Sequence, residues 1–171
     1  RFRPMQYEEG RVEQILKRLG IKRPFILYTG GSDERKNLIS LIKAYQKLPE
    51  PVYGQTQLVF AGRMSLDFLA EMRPIRQALD RIVLTDFVSE EDLVALYNLC
   101  DCFVFPSWHE GFGLPVLEAM SCGAVVVAAN AASVPEVMGA TEALFDPFDV
   151  DDMSAKLRLA LSDEGFRERM K

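Results

Sequence analysis

The feature that most narrows the choice of fold is the stretch from Cys102 to Ala129. Cys102-Phe103-Val104-Phe105 is a short apolar run, unbroken by charge and stopped by Pro106, as expected of a strand buried on both faces. Leu114-Pro115-Val116-Leu117-Glu118-Ala119-Met120 then reads as a helix. It has a proline at its start, where a missing N–H costs nothing, and Gly123 just past its end, where a left-handed residue is wanted. Val125-Val126-Val127 follows as a second buried strand. Strand, glycine loop, helix and strand make a βαβ crossover, and a crossover of this kind joins parallel strands.

Between the first strand and the helix lies Glu110-Gly111-Phe112-Gly113. Two glycines let the backbone approach a ligand and leave N–H groups free at a helix N-terminus, which favours a phosphate or a polarised hydroxyl oxygen. Glu118 sits about one turn into the helix. Helical side chains lean back toward the N-terminus, so its carboxylate is expected at the same mouth. Carboxylates beside an amide-rich anion pocket suit a ligand with both phosphates and vicinal hydroxyls, and a nucleotide sugar has all of these parts. A plainer reading stays open here: Glu118 complements the helix dipole and Glu110 is a solvated loop acid.

The rest of the chain alternates in the same way. Residues 1–24 read as an approach rather than a core element, with a charged helix from Glu8 to Leu19 carrying Val12, Ile15, Leu16 and Leu19 on one stripe and ended by Gly20. Phe25-Ile26-Leu27-Tyr28-Thr29 is the first core strand, closed by Gly30 to Asn37. Leu38, Leu41, Ile42, Tyr45 and Leu48 then fall at helical spacing. Arg35 and Lys36 stand near that helix start, where the dipole disfavours a cation unless an anion sits with it, although a solvated pair is the alternative.

Gln57 to Ala61 is the second strand, and residues 66–79 form a helix with Leu66, Leu69, Ala70, Met72 and Leu79 inward, which Pro74 kinks or splits. Ile82-Val83-Leu84 is the third strand. After Thr85-Asp86-Phe87-Val88, Ser89 caps a helix whose inward stripe is Leu93, Leu96, Tyr97 and Cys100. On the residues alone, Phe87 and Val88 read as core plugs. Glu142-Ala143-Leu144-Phe145 is the last strand. A final helix from Asp151 carries Met153, Leu157, Ala160 and Leu161, and the charged run Glu164 to Lys171 is helical in character without a cap.

At 171 residues the chain is long enough for one domain with a sizeable core and too short for two of ordinary size. A net charge of −5 argues against nucleic acid as the partner, because phosphate backbones demand a basic face. No apolar run approaches the roughly 20 residues that span a bilayer, and no signal peptide opens the chain. Cys100, Cys102 and Cys122 lie in apolar surroundings and His109 is the sole histidine, so reduced buried thiols in a cytoplasmic setting are expected and a metal site is not.

Glu110 and Glu118, with seven residues between them in the context EGFGLPVLEAMSCGAVVVAA, closely resemble the paired-glutamate signature of the retaining glycosyltransferases of family 4, which have the GT-B fold. The resemblance runs from about Phe25 to Asp149 and covers the nucleotide-binding half of such enzymes. It implies an α/β, Rossmann-like, doubly wound parallel sheet of about six strands, the C-terminal half of a GT-B fold. Residues 1–24 would then link this domain, 25–171, to an N-terminal domain outside the sequence, and the opening Arg1-Phe2-Arg3-Pro4 reads as cut from something longer.

The resemblance also implies roles. Glu110 contacts the donor sugar near the reacting carbon and steadies positive charge there. Amides of Gly111, Phe112, Gly113 and Leu114 hold sugar hydroxyls and the distal phosphate. Lys36 neutralises the leaving diphosphate, Glu118 binds the ribose, and the turn at Phe87-Val88 holds the nucleobase. In the family an arginine often follows the strand-end glycine, but here Gly31 occupies that place, so Arg35 supplies the second cation or only one is used. His109 lines the pocket or is solvated. No cofactor or metal is expected. The substrate is a nucleotide diphosphate sugar, with a slight lean to GDP-mannose, and a glycan or lipid-linked acceptor is met through the missing domain, with peripheral membrane contact in the longer protein. Two other functions fit the same fold: a sugar-nucleotide 2-epimerase, or a nucleotide-binding module without catalysis.

Overall fold

A computed structural model describes residues 1–76 and 80–170. Six parallel strands form one sheet: β1 (Phe25–Thr29), β2 (Gln57–Ala61), β3 (Ile82–Asp86), β4 (Cys102–Phe105), β5 (Val126–Ala129) and β6 (Leu144–Phe145), in the order β3-β2-β1-β4-β5-β6. β1, β4 and β5 are buried at every residue, which is why their sequences are apolar without alternation. Their register places Ile26 opposite both Leu58 and Cys102, and Phe103 opposite Val126. β3 lies at the sheet edge, and only Ile82 of its five residues is buried.

From β1 the chain steps to β2 on one side, whereas from β4 it steps to β5 on the other. Right-handed crossovers therefore put α2 (Leu38–Gln46) and α6 (Leu114–Ser121) on opposite faces of the sheet. α2 packs on α8 (Val150–Ser162), which covers β4, β5 and β6, and α5 (Glu90–Leu99) packs on α6. The reversal of winding leaves a crevice between the carboxyl ends of β1 and β4, where open α/β sheets hold their ligands. The expected α/β doubly wound architecture is the one observed.

Helix α1 (Glu9–Leu19) ends on left-handed Gly20, but the segment before β1 is more than an approach: Ile15, Leu16 and Ile21 are buried in the common core. Arg18 makes two hydrogen bonds to Asp92 of α5, at 3.0 and 2.5 Å, tying α1 down. A short helix α3 (Val52–Gln55) precedes β2, and α4 (Leu66–Arg76) continues past Pro74 without being split. Leu79 and Lys171 lie outside the described residues, and Leu66 and Ala70, expected inward, are exposed on α4, where Phe68 and Met72 are buried.

Other differences have local causes. β3 runs on to Asp86 through a register shift opposite Phe60 and Ala61, with Asp86 itself left-handed. Ser89 caps α5 as expected, its side chain accepting from the N–H of Asp92, but the buried face takes in Val94, Ala95 and Leu99 beside Leu96 and Tyr97, and leaves Leu93 half-buried. β5 begins one residue later than expected, and a 3-10 turn at Thr141–Ala143 shortens the last strand to Leu144–Phe145. The short helix α7 (Val134–Met138) follows β5. The charged tail forms α9 (Glu164–Arg169), capped by Asp163, whose side chain accepts from Phe166 N–H at 2.7 Å, while the Phe166 ring is buried. The three cysteines are free and buried.

Candidate functional site

The two loops that flank the crevice carry its chemistry. The β1–α2 loop begins at Gly30 and passes through a 3-10 turn, Glu34–Lys36, to Asn37, and the β4–α6 loop runs from Pro106 to Gly113. Strand-end glycines allow the tight entry. Gly62, at the end of neighbouring β2, sits at φ +140°, and a Cβ there would lie 2.2 Å from the Gly30 carbonyl oxygen, so only glycine lets these two loop starts touch. Tyr28, buried in β1, donates to the Gly31 carbonyl at 2.6 Å and shapes the same loop from below. Burial, seconded by the charge of Glu110, pushes the Tyr28 phenol up, so it is a donor at any ordinary pH.

Lys36 and Glu110 meet across the crevice. The Lys36 ammonium donates to Glu110 Oε1, and the two side chains are only 15% and 14% exposed, so this is a largely buried ion pair. Lys36 lies in the 3-10 turn before the helix rather than in α2 itself. It is placed there by Asn37, which adopts a left-handed conformation (φ 59°) that asparagine tolerates better than most residues. The buried Asn37 amide donates to two carbonyl oxygens, Pro106 at 3.2 Å and Pro147 at 2.7 Å. Trp108 N–H donates to the Arg35 carbonyl at 3.1 Å, and the Trp108 ring stacks on exposed Phe148, centroids 5.8 Å apart. Three rim loops, after β1, β4 and β6, are therefore fastened to one another around Asn37.

The Glu110–Gly113 turn presents its backbone to the crevice. Among the described residues the N–H groups of Gly111, Phe112 and Gly113 donate to no backbone or side-chain acceptor, and that of Leu114, first in α6, has no partner within the helix. Gly113 is left-handed at φ +79°, as the residue before α6 must be for the chain to turn into the helix here. Ser133 donates to the Gly111 carbonyl at 2.9 Å, holding that peptide from outside the turn. Phe112 and Leu114 are exposed.

Glu118, a turn into α6, accepts from the Tyr97 hydroxyl at 3.2 Å, and that hydroxyl lies 3.0 Å from Thr29 Oγ1 at the carboxyl end of β1. Its carboxylate is thereby fixed to the rim of the sheet on the β1 side. Arg35 is brought elsewhere: its guanidinium donates to Asp33 at 2.6 Å with about half its surface exposed. Phe87 is 81% exposed, which excludes it as a core plug, whereas Val88 is half-buried against the core. His109 is exposed.

The rim joins the loops after β1, β4 and β6. A cavity of about 700 Å³ lies away from it, between the N-terminal segment and α5, and one of about 510 Å³ lies on its outer side, lined in part by Ser32, Asn37, Ser65 and Trp108. Neither of these two is lined by Glu110 or Glu118.

The family model described as glycosyl transferases group 1 matches residues 12–171. The chain belongs to this family. It is 37% identical over 174 aligned residues, 99% of the chain, to the serotype-specific mannosyltransferase WbdA of Escherichia coli, and 41% identical over 148, 84% of the chain, to the O-antigen chain mannosyltransferase B of the same organism. It spans 21% and 38% of their lengths. The crystal structure of the C-terminal domain of a group 1 family protein, LpcC of Francisella tularensis, superposes with a TM-score of 0.80 at 26% identity, covering 99% of this chain and 89% of that one. The fold is that of the GT-B glycosyltransferases.

Of the residues singled out in this group 1 domain, the structure brings Lys36 to Glu110, joins the free amides of Gly111 to Leu114 to the same loop, and ties Glu118 to the end of β1. Sequence reasoning missed Asn37 and Tyr97. An asparagine before an apolar helix signals a cap, but its partners lie 69 and 110 residues away. Tyr97 was legible as a core residue, and only its hydroxyl contacts give it a second role.

Proposed function

We propose that this domain is the donor-binding part of a retaining glycosyltransferase of family 4 that moves a hexose, with mannose favoured, from a nucleotide diphosphate sugar to an acceptor. The observation that carries the proposal is the convergence of Lys36, Glu110 and a turn of free amides at the crevice between β1 and β4. The diphosphate lies on the N–H groups of Gly111 to Leu114 and on the Lys36 ammonium, which neutralise the charge that grows as the bond from the anomeric carbon to the leaving oxygen breaks. Glu110 stands beside the ring and opposes the positive charge developing there. Glu118 accepts from the ribose hydroxyls, and the Phe87–Val88 turn, with Phe87 free of the core, meets the base. Arg35 joins only by leaving Asp33.

In this reading Lys36 does the work a divalent metal does in other folds. The acceptor, a glycan or lipid-linked chain, is held by an N-terminal domain. The domain alone binds nucleotide and transfers nothing, and the longer protein works in the cytoplasm, at the membrane surface. Among the described residues no helix is long and apolar enough to cross a membrane. The two E. coli relatives, both named mannosyltransferases, favour mannose over other hexoses.

Calorimetric titration of the chain with GDP, UDP and ADP tests this. At least one binds, and Lys36→Ala and Glu118→Ala each weaken it. In the longer parent, Glu110→Ala cuts transfer by about a hundredfold or more without lowering nucleotide affinity. Absence of binding by all three nucleotides, or indifference to both alanine changes, would overturn the proposal.

A further inference from the structure

Tyr97 is buried to 1% exposure, yet its one polar atom points at two others. The hydroxyl lies 3.2 Å from Glu118 Oε2 and 3.0 Å from Thr29 Oγ1. A carboxylate only accepts, so Tyr97 must donate to Glu118, and its oxygen is then the acceptor for the Thr29 hydroxyl. The hydrogen bonds thus run one way, from the last residue of β1 through α5 to α6. Burial pushes the Tyr97 phenol up, so the donor proton is kept at any ordinary pH. The ring cannot swing away. It meets Phe103 of β4 edge-on, centroids 5.3 Å apart, and Phe2 at 6.0 Å.

We infer that Tyr97, oriented by Thr29, is a positioning residue that sets the rotamer of Glu118 and thereby the ability of the site to select a ribose. Three rotatable bonds separate the Glu118 carboxylate from its helix, and a carboxylate that must accept from two vicinal hydroxyls at once has to be held in one plane. The Tyr97 hydrogen bond occupies one lone pair of Oε2 and leaves Oε1 and the remaining lone pair for the ligand. A phenylalanine would fill the same enclosed space, whereas a buried phenol hydroxyl must be partnered, and the partners this one reaches are Glu118 and Thr29.

The inference rests on the reading of Glu118 as the ribose-binding carboxylate, and the experiment separates the two. The ratio of affinities for GDP and 2′,3′-dideoxy-GDP is measured by calorimetry for the wild-type chain and for Glu118→Ala, Tyr97→Phe, Thr29→Val and Thr29→Ser. The wild type prefers GDP, and Glu118→Ala abolishes the preference. Tyr97→Phe, which keeps the ring and removes only the hydroxyl, lowers the ratio about two- to tenfold, the worth of one hydrogen bond. Thr29→Val lowers it in the same direction, and Thr29→Ser, with the hydroxyl retained, restores it. A merely structural role would weaken both nucleotides alike and leave the ratio unchanged. If Tyr97→Phe does not fold, the Thr29 pair carries the test. Where UDP or ADP is the nucleotide bound, the same ratio is read with that nucleotide and its dideoxy form; failure of the wild type to bind any of the three, or an unaltered ratio in Glu118→Ala, overturns the ribose reading and the inference together. A ratio that falls in Glu118→Ala but stays at the wild-type value in Tyr97→Phe and Thr29→Val overturns the inference alone.

Discussion

Replacing Asn37 tests whether the rim is held together from one point. Its amide donates to the Pro106 and Pro147 carbonyls, both on buried residues, and its backbone is left-handed. Asn37→Ala removes both donors and leaves two acceptors enclosed without them, at a cost of about 1 kcal/mol or more for each. Alanine in the left-handed region adds about 1 kcal/mol. The total is about 3 kcal/mol, which for a chain of this size lowers the melting temperature by roughly 6–12 °C. Asn37→Gly loses the same two bonds without the steric penalty, so it should fall between wild type and alanine. Asn37→Asp sets a carboxylate against two carbonyl oxygens and should be the worst of the three. Thermal and urea unfolding followed by circular dichroism give the ranking. A melting temperature for Asn37→Ala within about 1 °C of wild type, against the shift expected from lost buried hydrogen bonds, or glycine below alanine, would refute the reasoning.

Other expectations follow from single contacts. Gly62→Ala forces a Cβ to within 2.2 Å of the Gly30 carbonyl oxygen and should cost about 3 kcal/mol in urea unfolding; Gly10, in α1 with open space around it, accepts alanine with no loss. For the Lys36–Glu110 pair, a double-mutant cycle with Lys36→Met and Glu110→Gln should show the double change costing about 2 kcal/mol less than the sum of the singles, because each single leaves a charge enclosed without its partner. The Arg18 guanidinium holds the Asp92 carboxyl below its usual range. A carboxyl depressed in the folded state stabilises above its unfolded value, near about 4, and that stability disappears as pH falls through the folded value. The gap in melting temperature between wild type and Asp92→Asn should therefore be full at neutral pH and close in acid; a gap independent of pH would contradict the assignment.

The parts of this fold that were legible beforehand share a physical signature. β1, β2 and β4 were readable to the residue because each is an apolar run ended by glycine or proline, and a strand enclosed on both faces tolerates no interruption. Where one face opens, the pattern weakens. β3 continues to Asp86 with polar residues because it is an edge strand, and no periodicity marks that extension. Ile15 and Leu16 stand on a legible stripe, but their core role was hidden because five of the eleven residues of α1 are charged and its partner helix is met only across the fold, where Arg18 pairs with Asp92. Lys36 was identifiable from its place after a strand-end glycine, but its union with Glu110 required knowing that β1 and β4 are neighbours.

That adjacency explains why the site lies where it does. Strands distant in sequence become neighbours only where the winding of the sheet reverses, and there the loops above them diverge to opposite faces and leave a gap. A cation from one loop and a carboxylate from the other then satisfy each other across the gap in the free chain, at the cost of keeping two charges largely out of water. A ligand with its own negative charge can take over the lysine only if the carboxylate finds a compensating positive charge at the same time. Under the proposed transfer, an oxocarbenium-like sugar ring, formed as the diphosphate leaves, supplies it. A free nucleoside diphosphate offers the lysine an anion but offers Glu110 nothing. Relieving Glu110 by Glu110→Gln should accordingly tighten the free nucleoside diphosphate even as it removes the stabilisation of transfer in the longer enzyme. Calorimetry with the nucleoside diphosphate and a transfer assay on that enzyme measure the two effects, and a parallel loss in both would count against an ion pair that must be broken for donor to bind.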